Sequence, residues 1–222
     1  MGLILNIHTA TETAIINLSA DKQILGTFNN KDSKKHASFL HSAIKDLLEQ
    51  QQVSIKKLDA IGVTSGPGSY TGIRIGLATA KGLCYGLKIP LITYNSLEVI
   101  AFSTAAFIKD NNALYCPMID ARRMEVYTAL YDYDLQEVMQ PTAMILSENS
   151  FSNLSASSKI YFSGSGSDKF KNIAGNKNFN FISQEISSES LTEFAHLKYK
   201  KGEFENMPYA QPLYIKDFHT IF

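Results

Sequence analysis

Apolar and polar positions alternate over three short runs at the start of the chain, residues 3–7, 13–19 and 23–29, which predict three strands. Ala20-Asp21-Lys22 shapes a hairpin between the second and third. From 36 to 52 the period lengthens: Phe39, Leu40, Ala43, Ile44, Leu47 and Leu48 fall on one helical stripe, with Ser33 placed to cap its start. A buried strand over 59–64, a helix over 70–87, a strand over 89–94 and a helix over 96–108 follow. Strands that alternate with helices after an antiparallel opening predict a mixed sheet covered on both faces, an α/β architecture. The polar segment 109–112 interrupts the pattern, and a second three-strand meander follows over 113–119, 125–133 and 136–140. The second half thus begins as the first does, which predicts duplication of one unit, with subdomains at 1–108 and 109–222. Strands near 159–163 and 179–182, an amphipathic helix over 189–200 and a final strand or extended segment over 211–216 complete the second half. Its helix content is lower, so a smaller core is expected there.

The junction between the fourth strand and the second helix reads Gly66-Pro67-Gly68-Ser69-Tyr70-Thr71-Gly72-Ile73-Arg74-Ile75-Gly76. Free backbone N–H groups and the positive dipole end at a helix start favour an anion, and Ser69 is placed as N-cap. Gly66, Gly68, Ser69, Tyr70 and Thr71, together with Thr9 and Thr11 of the turn after the first strand, are the candidate anion or nucleotide loop. Close packing is the other reading. Gly72, Gly76 and Ala80 recur every fourth residue, Gly82 and Gly86 repeat the spacing, and each glycine costs a helix about 1 kcal/mol relative to alanine, so a compensating contact is required.

Composition narrows the field. The chain has 222 residues, 45% of them apolar, enough for a substantial core. Lys plus Arg equals Asp plus Glu at 21 each, so no whole-chain field draws it to nucleic acid or to an anionic membrane. The first charged residue is Glu12, and Leu3-Ile4-Leu5 is too short for a signal peptide. The apolar stretch 91–108 is interrupted by Tyr94, Asn95, Ser96 and Glu98, which makes it a strand and a helix and leaves nothing to span a membrane. Cys84 and Cys116 have neither metal spacing nor a disulfide framework, as expected of reduced thiols in a cytoplasmic protein.

Catalytic signatures are scarce. No Gly-Lys-Ser/Thr follows the glycine junction, and Lys81 lies too far along the helix for a phosphate loop. HExxH, paired-cysteine and GxSxG patterns are absent. The five histidines are His8, His36, His41, His196 and His219, and His36 and His41 project about 140° apart around a helix, poorly placed to share a metal. The turn Asp120-Ala121-Arg122-Arg123-Met124-Glu125 is either a ligand-binding hairpin or a surface ion-pair cluster.

Four motifs in order resemble the TsaB (YeaZ) family: Ile7-His8-Thr9-Ala10-Thr11-Glu12, the glycine junction, Asp120 with Arg122 and Glu125-Val126-Tyr127, and Pro212-Leu213-Tyr214-Ile215-Lys216. The resemblance extends along almost the whole chain, and the junction is its most specific part. It implies the actin/hexokinase/Hsp70-like (ASKHA) fold, two βββαβα-type subdomains with mixed sheets. It also implies a non-catalytic, cytoplasmic scaffold that activates TsaD in forming N6-threonylcarbamoyladenosine at A37 of tRNAs reading ANN codons, with tRNA engaged indirectly. The implied TsaD contact is a helix bundle, here Phe39, Leu40, Ile44, Leu47 and Leu48 with Gly72, Ile73, Gly76, Leu77 and Ala80. TsaE is implied in the larger complex, with the interface to partner subunits as the candidate place for ATP or ADP, and the isolated chain is either a monomer or a homodimer. His8 stands where the family usually has Asp, which argues against independent ATP hydrolysis. The alternatives are a nucleotide-binding regulatory protein of the same fold and an M22-type peptidase.

Overall fold

The computed structural model describes residues 2–32, 36–152, 154, 159–175 and 179–216; the expected cap Ser33, the side chain of His36, and His219 lie outside them. The strands β1 (Leu3–His8), β2 (Ala14–Ala20), β3 (Gln23–Asn30), β4 (Ala60–Gly66) and β5 (Leu91–Asn95) form one sheet in the order β3-β2-β1-β4-β5. The first three pair antiparallel, whereas β4 runs parallel to both β1 and β5. A second sheet repeats this plan with β6 (Leu114–Asp120), β7 (Glu125–Tyr131), β8 (Glu137–Ile145), β9 (Ile160–Ser163) and β10 (Asn180–Ile182) in the order β10-β9-β6-β7-β8. Here too a meander of three strands is extended by two parallel ones. The duplication expected from the hydrophobic pattern is therefore present at the level of strand order.

The helices are α1 (His36–Gln50), α2 (Tyr70–Leu87), α3 (Ser96–Ile108), α4 (Ser167–Lys171) and α5 (Ser188–Lys201). The compact units differ from the 1–108 and 109–222 division. One comprises residues 1–96 and 187–213, the other 97–186 and 214–222, in so far as these are described. The reason is packing. α5 lies on β1, β2 and β3, joining the first sheet from the far end of the sequence, while Thr104 on α3 bonds Ser163 at the end of β9. The segment 211–216 forms no strand and bends at 215–216. β8 runs through Pro141, which an edge strand tolerates because one side of its backbone needs no ladder partner.

One face of the first sheet carries Leu5, Ile7, Ile61 and Val63 into a core with Leu40, Leu47, Leu77 and Ala80 of α1 and α2. The other face is unusually polar. Asn6, Asn17, Thr64 and Tyr94 are all fully buried there. Tyr94 donates its hydroxyl to Asn6 Oδ1 at 2.7 Å, and Asn17 Nδ2 donates to the Ser188 carbonyl at 2.9 Å and to Thr192 Oγ1 at 2.7 Å. Burial holds the Tyr94 phenol well above its ordinary pKa, so it stays a neutral donor. In the second unit the core is aromatic: Phe151, Phe162, Phe170 and Phe179 meet largely edge to face, with centroids 5.0–5.5 Å apart. Both cysteines are buried and free, and loss of water raises the Cys84 thiol to about 11 and Cys116 to about 12. Among the described residues no helix is long and apolar enough to cross a membrane.

Gly62 on β4 faces the Tyr94 hydroxyl and Asn6 Oδ1, and a Cβ there would overlap both. Gly62→Ala is expected to destabilise the chain by about 2–3 kcal/mol in urea unfolding. An unchanged midpoint would mean that this polar layer rearranges without cost.

Candidate functional site

β4 ends at Gly66, whose φ of +115° only glycine adopts without strain, and Ser65 bonds the Tyr94 carbonyl at 3.1 Å as the chain leaves the sheet. Gly68 follows with φ of +152°. Ser69 caps α2 as expected, its Oγ accepting the Gly72 N–H at 3.2 Å. The Ser69 N–H donates to the Ala10 carbonyl at 2.7 Å, and the Thr9 hydroxyl donates to the Gly72 carbonyl at 2.6 Å. The glycines explain this closeness. A Cβ at Gly68 would strike the Ala10 carbonyl oxygen, one at Gly72 the Thr9 carbonyl oxygen, and one at Gly76 the Thr9 hydroxyl.

Gly68, Ser69 and Gly72 lie against the backbone of Thr9 and Ala10 in the turn between β1 and β2, whereas Gly66 lies against the Leu213 carbonyl and Ile73. What Gly68 and Gly72 face are carbonyl oxygens, which repel an anion rather than hold it. Thr11 is occupied with His8, its Oγ1 2.7 Å from Nε2, while His8 Nδ1 lies 3.0 Å from Thr64 Oγ1. His8 itself is fully buried at the end of β1, so the side chain that replaces the family's usual Asp serves as a link between strand β4 and the turn. Tyr70 and Thr71 are exposed, and the Arg74 guanidinium stacks over the Tyr70 ring at 3.8 Å.

The interface set expected on α1 and α2 requires correction. Leu40, Ile44, Leu47, Leu48, Gly72, Ile73, Gly76, Leu77 and Ala80 are all buried within this chain, and Phe39 is half-buried against the same core. They form the sheet-facing stripe, because the apolar sides of both helices are needed to cover β1 and β4. The outward side of α2 instead carries Thr71, Arg74, Ala78, Gly82, Tyr85 and Gly86. Nothing lies within 4 Å of a Cβ built at Gly82 or Gly86, and Tyr85 is 77% exposed. The Gly82/Gly86 spacing in the sequence was the available signal for this second edge.

Beside that edge an open groove of about 590 Å³ has Ile44, Leu48, Val53, Ile55 and Leu83 as its apolar lining, with His41, Lys45 and Glu49 along α1. Lys81, which had no assigned role, donates to the carbonyls of Pro208 at 3.2 Å and Ala210 at 3.0 Å and so fastens the segment after α5 to α2. Leu213 N–H then bonds Ser65 O at 2.8 Å, which lays the chain over Gly66.

The β6–β7 turn is largely a self-satisfied cluster. Asp120 accepts from Lys169 at 2.6 Å and from the Arg122 N–H at 2.6 Å, and Glu125 pairs with Lys216. Arg122 and Arg123 have φ of 70° and 50°, the sole adjacent non-glycine pair with positive φ among the described residues. Left-handed backbone costs an L-residue about 1–2 kcal/mol. Among the described residues no three His, Cys, Asp or Glu side chains come together as a metal site.

Two sheets of 3-2-1-4-5 type, each a meander extended by parallel strands, define an α/β protein of the actin/hexokinase-like ATPase fold. An inorganic polyphosphate/ATP-glucomannokinase from Arthrobacter overlays on 91% of this chain with a TM-score of 0.52 at 10% identity. YeaZ from Pseudomonas aeruginosa overlays on 96% of it, and on 100% of its own length, with a TM-score of 0.81 at 22% identity. The chain belongs to the family described as TsaD, tRNA N6-adenosine threonylcarbamoyltransferase, whose model matches residues 15–213, and its likeness within that family is to TsaB (YeaZ). It is 34% identical over 148 residues to the tRNA threonylcarbamoyladenosine biosynthesis protein TsaB of Bacillus subtilis, a match covering 65% of this chain. That match spans 63% of the B. subtilis protein, under two thirds of its length.

The two glycine edges of α2 separate on one substitution. Gly72→Ala is expected to cost about 3 kcal/mol, because the Thr9 carbonyl is backbone and cannot swing aside. Gly82→Ala, which meets open space, is expected to stabilise by up to about 1 kcal/mol. Urea midpoints measured side by side check both, and equal shifts would contradict the assigned facing of the helix.

Proposed function

We propose that this chain is a non-catalytic, TsaB-type subunit that binds TsaD and holds it in an active arrangement for making N6-threonylcarbamoyladenosine at A37 of tRNAs reading ANN codons. The observation that carries this reading is the filled glycine junction. The helix start that the sequence offers as a candidate anion loop is taken by the chain's own Thr9 and Ala10 carbonyls, with the Ser69 N–H already bonded to one of them. Such an arrangement stabilises a helix against a sheet and offers no preorganised donors to a reacting phosphate. The family match and the resemblance to TsaB support the tRNA-modification setting.

The partner surface in this proposal is the outward side of α1 and α2. Ala78, Gly82 and Gly86 let another helix approach closely, Tyr85 supplies an exposed aromatic anchor, and the neighbouring groove provides apolar area. In the isolated chain the same side would pair two copies about a two-fold axis. TsaE, and ATP or ADP at the boundary with partner subunits, complete the assembly in the same reading. A nucleotide-binding regulatory protein is the second reading, favoured only by the fold, and calorimetry of ADP with the isolated chain separates the two.

The test is co-purification with TsaD. Gly82→Phe is expected to leave the unfolding midpoint near wild type and to abolish the complex, with threonylcarbamoylation of tRNA falling to the level of TsaD alone. A retained complex with Gly82→Phe would place the partner elsewhere. Threonylcarbamoyl transfer by this chain without TsaD would overturn the non-catalytic assignment.

A further inference from the structure

The hairpin tip formed by Arg122 and Arg123 does nothing for the fold that other residues would not do better. Each residue sits in left-handed backbone, where asparagine or glycine is the unstrained choice for a tight hairpin. The Glu125 N–H bonds the Arg122 carbonyl at 3.1 Å and the Ala121 N–H bonds the Glu125 carbonyl at 3.1 Å, so the turn is held by its main chain. Both arginine side chains are exposed, and no ion pair to either is present among the described residues.

Neighbouring acids are already committed. Asp120 is held by Lys169, whose ammonium also reaches the Glu125 carbonyl at 3.4 Å, and Glu125 is held by Lys216. These lysines pair with the two carboxylates, so among the described residues neither arginine has an ion-pair partner. The result is a small, exposed basic tip with guanidinium forks suited to phosphate oxygens.

We infer that Arg122 and Arg123 contact the phosphate backbone of RNA, so that this chain touches tRNA directly instead of only through its partner. The inference rests on the tRNA-modification reading for the identity of the RNA and on the hairpin alone for the site. Phosphate contacts of this kind position an RNA without reading its sequence.

Anisotropy of labelled unfractionated tRNA, titrated with the full-length chain across a range of salt concentrations, tests it. The paired substitution Arg122→Asn with Arg123→Gly keeps a turn-compatible backbone, so its unfolding midpoint is expected at or above wild type. Its tRNA affinity is expected to fall about tenfold, and the slope of log K against log salt to drop by about two, near 0.9 for each lost phosphate contact. Arg122→Lys with Arg123→Lys is expected to retain most of the slope. Lys56→Ala with Lys57→Ala, an exposed lysine pair in the first unit, serves as a control and is expected to change neither quantity appreciably.

Unchanged binding by the Asn/Gly variant, an equal loss in the Lys56/Lys57 control, or no salt-dependent tRNA binding by the wild type would overturn the inference. Displacement of tRNA by ADP in the wild type but not in the Asn/Gly variant would assign the arginines to a nucleotide and overturn it as well. If the chain fails to support TsaD yet shows the predicted hairpin dependence, the functional reading falls and the hairpin assignment stands.

Discussion

The first unit depends on one close approach, the backbone of the turn after β1 lying directly on the first turn of α2. Two hydrogen bonds hold it, Ser69 N–H to Ala10 O and the Thr9 hydroxyl to Gly72 O, at 2.7 and 2.6 Å. They are possible only because Gly68 and Gly72 have no Cβ. Once α2 is drawn in at its start, Ile73, Leu77, Ala80 and Cys84 follow along its inner side and seal the core over β1 and β4. The helix-propensity cost of its glycines, about 1 kcal/mol each, is offset by this contact on the inner edge. At Gly82 and Gly86 no contact within the chain offsets it. That asymmetry is the physical ground for the proposal that the outer edge meets another polypeptide.

Much of this was legible in the chain. The helix expected over 70–87 and the one over 96–108 match α2 and α3 residue for residue, since each is bounded by strong local signals: Ser69 before one and Ser96 at the start of the other. The repeated meander was visible because strand alternation is local. What escaped was long-range. Nothing in the period of α5 says that it covers the first sheet, since the partners Asn17 and Thr192 stand 175 positions apart. The direction of α2 escaped for a related reason. Two glycine repeats whose mean directions stand about 80° apart around one helix look alike in sequence, and only the neighbouring Thr9 carbonyl distinguishes the inner from the outer. The five-residue α4 is too short to leave a period.

The polar face of the first sheet shows how a segment from near the end of the sequence is selected. Asn6 and Asn17 are directly paired across β1 and β2, and both are fully buried. An apolar helix laid over them would strand amide groups, at about 1–3 kcal/mol each. α5 answers this for the Asn17 Nδ2 group by presenting the Ser188 carbonyl and the Thr192 hydroxyl, while Phe194 packs edge-on against Tyr94 with centroids 5.8 Å apart; Asn6 Nδ2 and Asn17 Oδ1 have no hydrogen-bond partner among the described residues. The match is specific because hydrogen bonds have direction whereas hydrophobic contact does not. A helix with the same apolar content and no hydroxyl at position 192 would bury the face less favourably.

The two units use the same device to different extents. In each, the fourth strand of the sheet ends in glycines pressed against the end of the sheet's first strand: Gly68 and Gly72 on the residues after β1, Gly164 and Gly166 on Met118 and Ile119 of β6. Each junction also donates a main-chain N–H to that strand's end, Ser69 to Ala10 and Gly166 to Met118 at 2.9 Å. The helices that follow diverge, 18 residues in α2 and five in α4. A five-residue helix has one turn and little area to offer beyond Phe170, which is spent wholly inside the aromatic core. An 18-residue helix has enough length for an inner side that seals the sheet and an outer side left over. The junction is therefore shared by both units, and only the longer helix presents surface that the fold itself does not need.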